Sequence, residues 1–126
     1  MTTVTTSVEV TIDAVDAPAA ADFWCAALDY EVRSHRPPYR VLGPKGGANG
    51  LAVLVQAVPS HSAGKARVHL DLRVDDPAAE ARRLEGLGAT VEGYVDEQAM
   101  GGSAWWVLRD PEGTHFCLCP ARQGSA

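Results

Sequence analysis

DAPAAADFWCAALDY (residues 16–30) and DDPAAEARRLEGLGA (residues 75–89) decide the fold, because one kind of segment occurs twice in the chain. Asp16 stands where a helix N-cap belongs, with Pro18 in the first turn. Asp76 does the same for the second stretch, with Pro77 at the first helical position. In the first stretch Ala20, Phe23, Trp24, Ala27 and Leu28 recur at i, i+3, i+4, i+7 and i+8, which predicts an amphipathic helix with an aromatic inner face. In the second, Ala81, Leu84 and Leu87 mark the predicted buried side. The two stretches align without a gap from Asp16 and Asp75; identity is low, but the order of elements around them agrees.

Outward from the first helix, Val8, Val10 and Ile12 alternate with Glu9, Thr11 and Asp13, the period of a half-buried strand that ends near Ala14. Three strands are predicted after the helix, over residues 30–34, 39–42 and 51–58. Pro37-Pro38 and the Gly-rich GPKGGANG separate them. The second half repeats the order. Its strands are predicted over Val68–Val74 and residues 89–95, 103–108 and 114–119, the last entered through the tight turn Asp110-Pro111-Glu112-Gly113. The chain therefore reads as two βαβββ units, about residues 7–58 and 66–120, joined by the short polar connector PSHSAGK. Many strands with two helices predict one α+β domain over residues 1–126, with the helices on the outer faces of a curved mixed sheet. The inner faces of such a sheet are left to enclose something.

Composition sets the limits. At 126 residues the chain suits one domain that buries roughly two thirds of its unfolded surface, and 46% apolar with 21% charged content is that of a globular protein. A net charge of −5 offers no basic field for nucleic acid or an anionic membrane. Three cysteines, two of them in one strand, argue against a disulfide framework. MTTVTTSVEV lacks the basic start and apolar run of a signal peptide, and no segment approaches the ~18 apolar residues that span a bilayer. A cytoplasmic location is expected.

Three stretches in order, ADFWCAALDYEV, KARVHLDLRVDDPAAEARRLEGLGA and WWVLRDPEGTHFCLCP, together resemble the vicinal-oxygen-chelate superfamily (glyoxalase, bleomycin-resistance and dioxygenase proteins), within it the glyoxalase-like domains. The likeness covers nearly the whole chain. It implies a U-shaped sheet made from two βαβββ modules around a central cavity, a small organic ligand, and a homodimer. It also implies metal-ligand positions on the first and last strand of each module, which fall here on Glu9, Gln56, His69 and Cys117. Metal-dependent relatives usually carry Glu where Cys117 stands. A thiol among oxygen ligands suits zinc, iron or nickel better than magnesium or manganese, and it tips the expectation toward no metal. Thr114 stands where the family's turn usually has Asn.

The residues themselves leave alternatives open. His69, Asp71 and Arg73 share one strand face opposite Val68, Leu70, Leu72 and Val74, so that face meets either bulk water or a wet cavity. Asp71 and Arg73 serve either as substrate contacts or as an internal ion pair. Glu9, with Thr11 and Asp13 on its face, is either a site carboxylate acting as base or an exposed strand residue. His115, Cys117 and Cys119 share a face. Two thiols and an imidazole suit a soft metal or a nucleophile, whereas free cysteine commonly serves as a small apolar filler, as Cys25 on the helix is expected to do. Adjacent Trp105 and Trp106 must face opposite ways: one under the helix, the other lining the cavity as a substrate contact along with His115. GPKGGANG reads as a hairpin loop rather than a phosphate cradle, and VDEQAMGGSA as a loop near the cavity mouth.

Three functions fit. The first is a metal-assisted lyase or isomerase acting on a small oxygenated substrate, with Glu9 and His69 as catalytic groups. The second is a metal-free protein that sequesters an aromatic, cationic or peptide-like compound, as in the bleomycin-resistance branch. The third is a metal-free enzyme pairing His69 with Glu9 or Asp71.

Overall fold

A strand, a helix and three further strands make up each half of the chain in the computed structural model, which describes residues 7–61 and 66–121. The first six residues, weighed above for a leader, and the last four of the PSHSAGK connector, residues 62–65, lie outside the described residues. The first module is β1 (Ser7–Ala14), α1 (Ala17–Leu28), β2 (Tyr30–Arg36), β3 (Tyr39–Pro44) and β4 (Ala52–Ala57). The second is β5 (Val68–Val74), α2 (Pro77–Gly86), β6 (Thr90–Asp96), β7 (Ala104–Arg109) and β8 (His115–Pro120). The fold is α+β with mixed strand pairing. In each module the first strand runs parallel to the last, β1 with β4 and β5 with β8, and the remaining pairs are antiparallel. Contacts divide the chain at Leu70, inside β5: Glu9–His69 forms one compact unit, and the residues from Leu70 onward make most of the other. Among the described residues no helix is long and apolar enough to cross a membrane.

Both helices start as the sequence predicts. The Asp16 carboxylate accepts from the Ala19 N–H at 3.1 Å and Asp76 from the Ala79 N–H at 3.1 Å, each satisfying one of the orphan donors of a first turn. Because the caps are Asp16 and Asp76, the helices correspond one residue out of step from the ungapped alignment of Asp16 with Asp75. Residues 69, 71 and 73 of β5 therefore match 9, 11 and 13 of β1.

The buried faces match the predicted ones at Ala20, Trp24, Ala81 and Leu84 and differ at Phe23, Leu28 and Leu87. In the first module Ala17 and Ala21 of α1 are buried, and Ala20, Trp24 and Cys25 pack beside them on Ala14, Leu42, Val53 and Val55. Phe23 is 62% exposed, with its ring set edge-on to Trp24 at 5.1 Å, and Leu28 is exposed too. Small alanines let the helix lie close to the strands, and this turns the Phe23 side outward. In the second module Ala81, Leu108 and Leu118 form the core, with Leu72, Leu84, Trp106 and Phe116 against them. Leu87, predicted inside, is the C-cap residue of α2 and is exposed, since the chain turns away before its side chain can reach the sheet.

Two polar devices fix local geometry. Arg33, at the bulge of β2, donates to the Pro44 and Ala48 carbonyls at 2.6 and 2.7 Å, tying down the loop GPKGGANG as a hairpin connection between β3 and β4. A Cβ at Gly43 would lie 2.6 Å from that guanidinium, so a larger residue there would push the Arg33 side chain aside. On α2, Arg83 donates from Nε and Nη2 to the two oxygens of buried Glu80 at 2.8 and 2.7 Å. These hydrogen bonds, outweighing burial, hold the Glu80 carboxyl below its ordinary pKa.

Two outcomes follow from this packing. Trp106 lies in the core against Leu118 and tilted on Tyr94 at 4.8 Å, whereas Trp105 faces the other way. Trp106→Ala should cost about 3 kcal/mol of unfolding free energy in a urea titration, and Trp105→Ala less than about half of that. The depressed Glu80 pKa makes its contribution present above the ordinary carboxylate range and lost as pH falls through the folded value. Arg83→Gln should therefore be less stable than the parent at pH 7, and the gap should close in acid. A gap that widens on acidification would contradict this sign.

Candidate functional site

Strand alternation and the parallel register of β5 with β8 build the site. Leu72 and Val74 turn to the α2 side of β5, and Phe116 and Leu118 do so on β8. His69, Asp71 and Arg73, and likewise His115, Cys117 and Cys119, are left on the opposite face. The Asp110-Pro111-Glu112-Gly113 turn sets where β8 begins: Asp110 Oδ1 accepts from the Glu112 and Thr114 N–H groups at 2.8 and 2.9 Å, and Gly113 takes the left-handed conformation at φ 89°. Asp71 then lies directly opposite Cys117. One ligand atom from each of His69, Asp71 and Cys117 lies within 4.8 Å of the others. Asp71 is buried, with 7% of its surface exposed, and the other two are half-buried.

Of the expected ligands, His69 and Cys117 are thus brought together. Asp71, expected as a substrate contact, joins them. Arg73 donates to the Pro120 carbonyl at 3.2 Å. Trp105 emerges on the face of Cys117, since Val107, two residues along β7, is the register partner of Cys117. His115 is engaged elsewhere: its Nε2 is 3.5 Å from Glu92, which also pairs with Arg109 at 3.1 Å. Glu92 sits at a β6 irregularity between Val91 and Gly93, and no sequence signal singled it out.

The first module arranges its candidates differently. Glu9 is buried and lies opposite Ala52, while Gln56 lies opposite Asp13 and its amide donates to the Tyr39 hydroxyl at 3.5 Å. Four positions of register, roughly 13 Å along a strand, separate Glu9 from Gln56. The first-module counterpart of the His69, Asp71, Cys117 triangle is Glu9, Thr11 and Leu54, all buried, at 5%, 1% and 3% exposure. Leu54, not Gln56, matches Cys117. Counting back from the strand exit misplaces this position, because the register is fixed by long-range pairing.

Of the remaining thiols, Cys119 is buried and Cys25 packs on the core of the first module. Burial and then the Asp22 carboxylate raise the Cys25 pKa, which keeps it a thiol. The VDEQAMGGSA segment forms a short 3₁₀ turn at Gln98–Met100, with Met100 fully out in solvent at 81% exposure.

Solved structures of the same fold span nearly the whole chain. A glyoxalase/bleomycin resistance protein/dioxygenase superfamily member from Vibrio splendidus 12B01 superposes with a TM-score of 0.62 at 17% identity, covering 92% of this chain and 99% of its own. Methylmalonyl-CoA epimerase from Mycobacterium tuberculosis gives 0.63 at 20% identity, covering 92% and 88%. A protein described as NAD-dependent benzaldehyde dehydrogenase from Legionella pneumophila gives 0.68 at 14%, covering 91% and 99%. At these identities the likeness concerns the fold, and the differing names show that the fold does not fix an activity. No curated protein matches the sequence significantly. The glyoxalase-like domain family matches residues 9–119, from the first strand through Cys119 of the last, and the chain belongs to that family.

Proposed function

We propose that this domain binds a small, oxygen-bearing organic molecule on the β5–β8 face, with His69, Asp71 and Cys117 as the chemical centre. The observation that carries this reading is the closeness of an imidazole, a carboxylate and a thiol on two adjacent strands, with their ligand atoms within 4.8 Å of one another.

Their chemistry fits a divalent cation of the zinc, iron or nickel kind. Gln56 lies four register positions from Glu9, so the four-residue ligand set implied by the family resemblance is not the one this reading uses. One nitrogen, one oxygen and one sulfur donor from neighbouring strands are each donor types that zinc accepts, and three protein ligands would leave a fourth position open. When bound there, such an ion supplies Lewis-acid polarisation of a substrate oxygen. The protein's own groups do the rest. In the absence of an ion, Asp71 and His69 are the pair placed to move a proton to or from a carbon next to a carbonyl, the work of a lyase or isomerase; with an ion held there, their ligating atoms are committed to it. This assigns proton handling to His69 and Asp71 rather than to Glu9. Trp105, on the Cys117 face, offers an indole against which a planar ligand can rest. The same indole favours a second reading, capture of a ligand without turnover, in which the acidic chain selects cationic compounds.

Metal analysis after zinc loading and gel filtration tests the proposal. The parent protein should retain about one equivalent per chain. His69→Ala and Cys117→Ser should lose it, Asp71→Asn should hold it more weakly, and Gln56→Ala should bind like the parent. Circular dichroism shows whether each variant is folded. A parent that retains no zinc, iron or nickel removes the metal part of the proposal. Full retention by folded His69→Ala contradicts the assigned site.

A further inference from the structure

At the far end of β1, Asp13 carries a carboxylate that neither the packing nor the β5–β8 triangle uses. It shares the face of Glu9 and Thr11, lies opposite Gln56, and Gln56 in turn lies opposite Tyr39. A carboxylate, an amide and a phenol therefore stand side by side across three strands of the first module. The Asp13 N–H donates to the Arg67 carbonyl at 2.8 Å, but the side-chain Oδ1 is buried and accepts no hydrogen bond among the described residues. An unsatisfied buried carboxylate oxygen is costly and calls for a physical reason. Helix capping is not that reason, since Asp16 does it. Asp13 lines a hollow of about 220 Å³ together with Val58, Ser60, His61 and Arg67, so a guanidinium borders the same space without relieving Oδ1.

We propose that this hollow binds a small zwitterion, an amino acid or a close analogue, whose ammonium group donates to Asp13 Oδ1 and whose carboxylate meets Arg67. An ammonium group carries three donors and no acceptor, which is what an isolated carboxylate oxygen lacks. A planar guanidinium is suited to a carboxylate, so the two walls select opposite ends of one molecule. Arg67 disfavours a bare metal cation, and a neutral alcohol would leave the guanidinium unused. The volume is below the ~300–1,000 Å³ of drug-sized sites, which restricts the occupant to a small compound. None of these residues belongs to the His69, Asp71, Cys117 triangle, so the site stands or falls independently of it.

Thermal unfolding of the full chain tests this, with glycine and 4-aminobutyrate as probes at about 10 mM and ethylammonium chloride and sodium acetate as half-ligand controls. At least one amino acid should raise Tm by about 2 °C or more, with each control giving less than half as much. Asp13→Asn should abolish the rise, and Arg67→Gln should reduce it to less than half. Without ligand, Asp13→Asn should melt at or above the parent temperature, because the isosteric amide removes the charge from a half-buried carboxylate whose Oδ1 meets no donor among the described residues. A ligand-free Asp13→Asn that melts several degrees lower would show the carboxylate to be structural and overturn the proposal. So would no rise with either amino acid, an equal rise with the controls, or a rise that survives in Asp13→Asn.

Discussion

The parallel pairing of the first strand of each module with its last determines nearly everything else in this protein. Parallel neighbours need a long crossover, and here the helix and two intervening strands provide it, so residues far apart in sequence are set directly opposite. On β5 and β8 the pairing puts Asp71 against Cys117, with His69 beside them. The helix covers one face of the pair, and apolar side chains must point toward it. Polar groups are thereby gathered on the other face. Sliding β8 by one residue against β5 would turn Cys117 toward α2 and Leu118 away from it, and so disrupt core and triangle together.

That constraint also explains what could be read from the sequence and what could not. Helix caps at Asp16 and Asp76, the alternation in β1 and β5 and the turn at Asp110 are local signals, and each element appears where they place it. That His69 shares a strand face with Asp71 and Arg73 is legible from the alternation in β5. Asp71 as a partner of Cys117 is not, because nothing local specifies a parallel register. That Gln56 lies four register positions from Glu9 is not legible for the same reason. The exposure of Phe23 follows from how closely α1 approaches its strands, which depends on Ala17 and Ala21 packing on Leu42 and Val55 rather than on apolar periodicity.

The duplicated modules have diverged in chemistry while keeping their backbone plan. Equivalent positions hold His69, Asp71 and Cys117 in one module and Glu9, Thr11 and Leu54 in the other. A leucine cannot ligate or exchange protons, so the first module does not repeat the triangle. Its polar groups lie further along the strands, at Asp13, Gln56 and Tyr39. Duplication supplies two similar frames; the side chains at a few register positions decide what each can bind.

The central claim, that the β5–β8 register creates a mixed nitrogen, oxygen and sulfur binding centre, is tested most directly by X-ray absorption spectroscopy of the zinc-loaded protein. The expected result is a first shell with one sulfur at about 2.3 Å and lighter atoms at about 2.0–2.2 Å, the sulfur disappearing in Cys117→Ser. A shell of nitrogen and oxygen alone in the parent protein, or a sulfur that persists in Cys117→Ser, would contradict it.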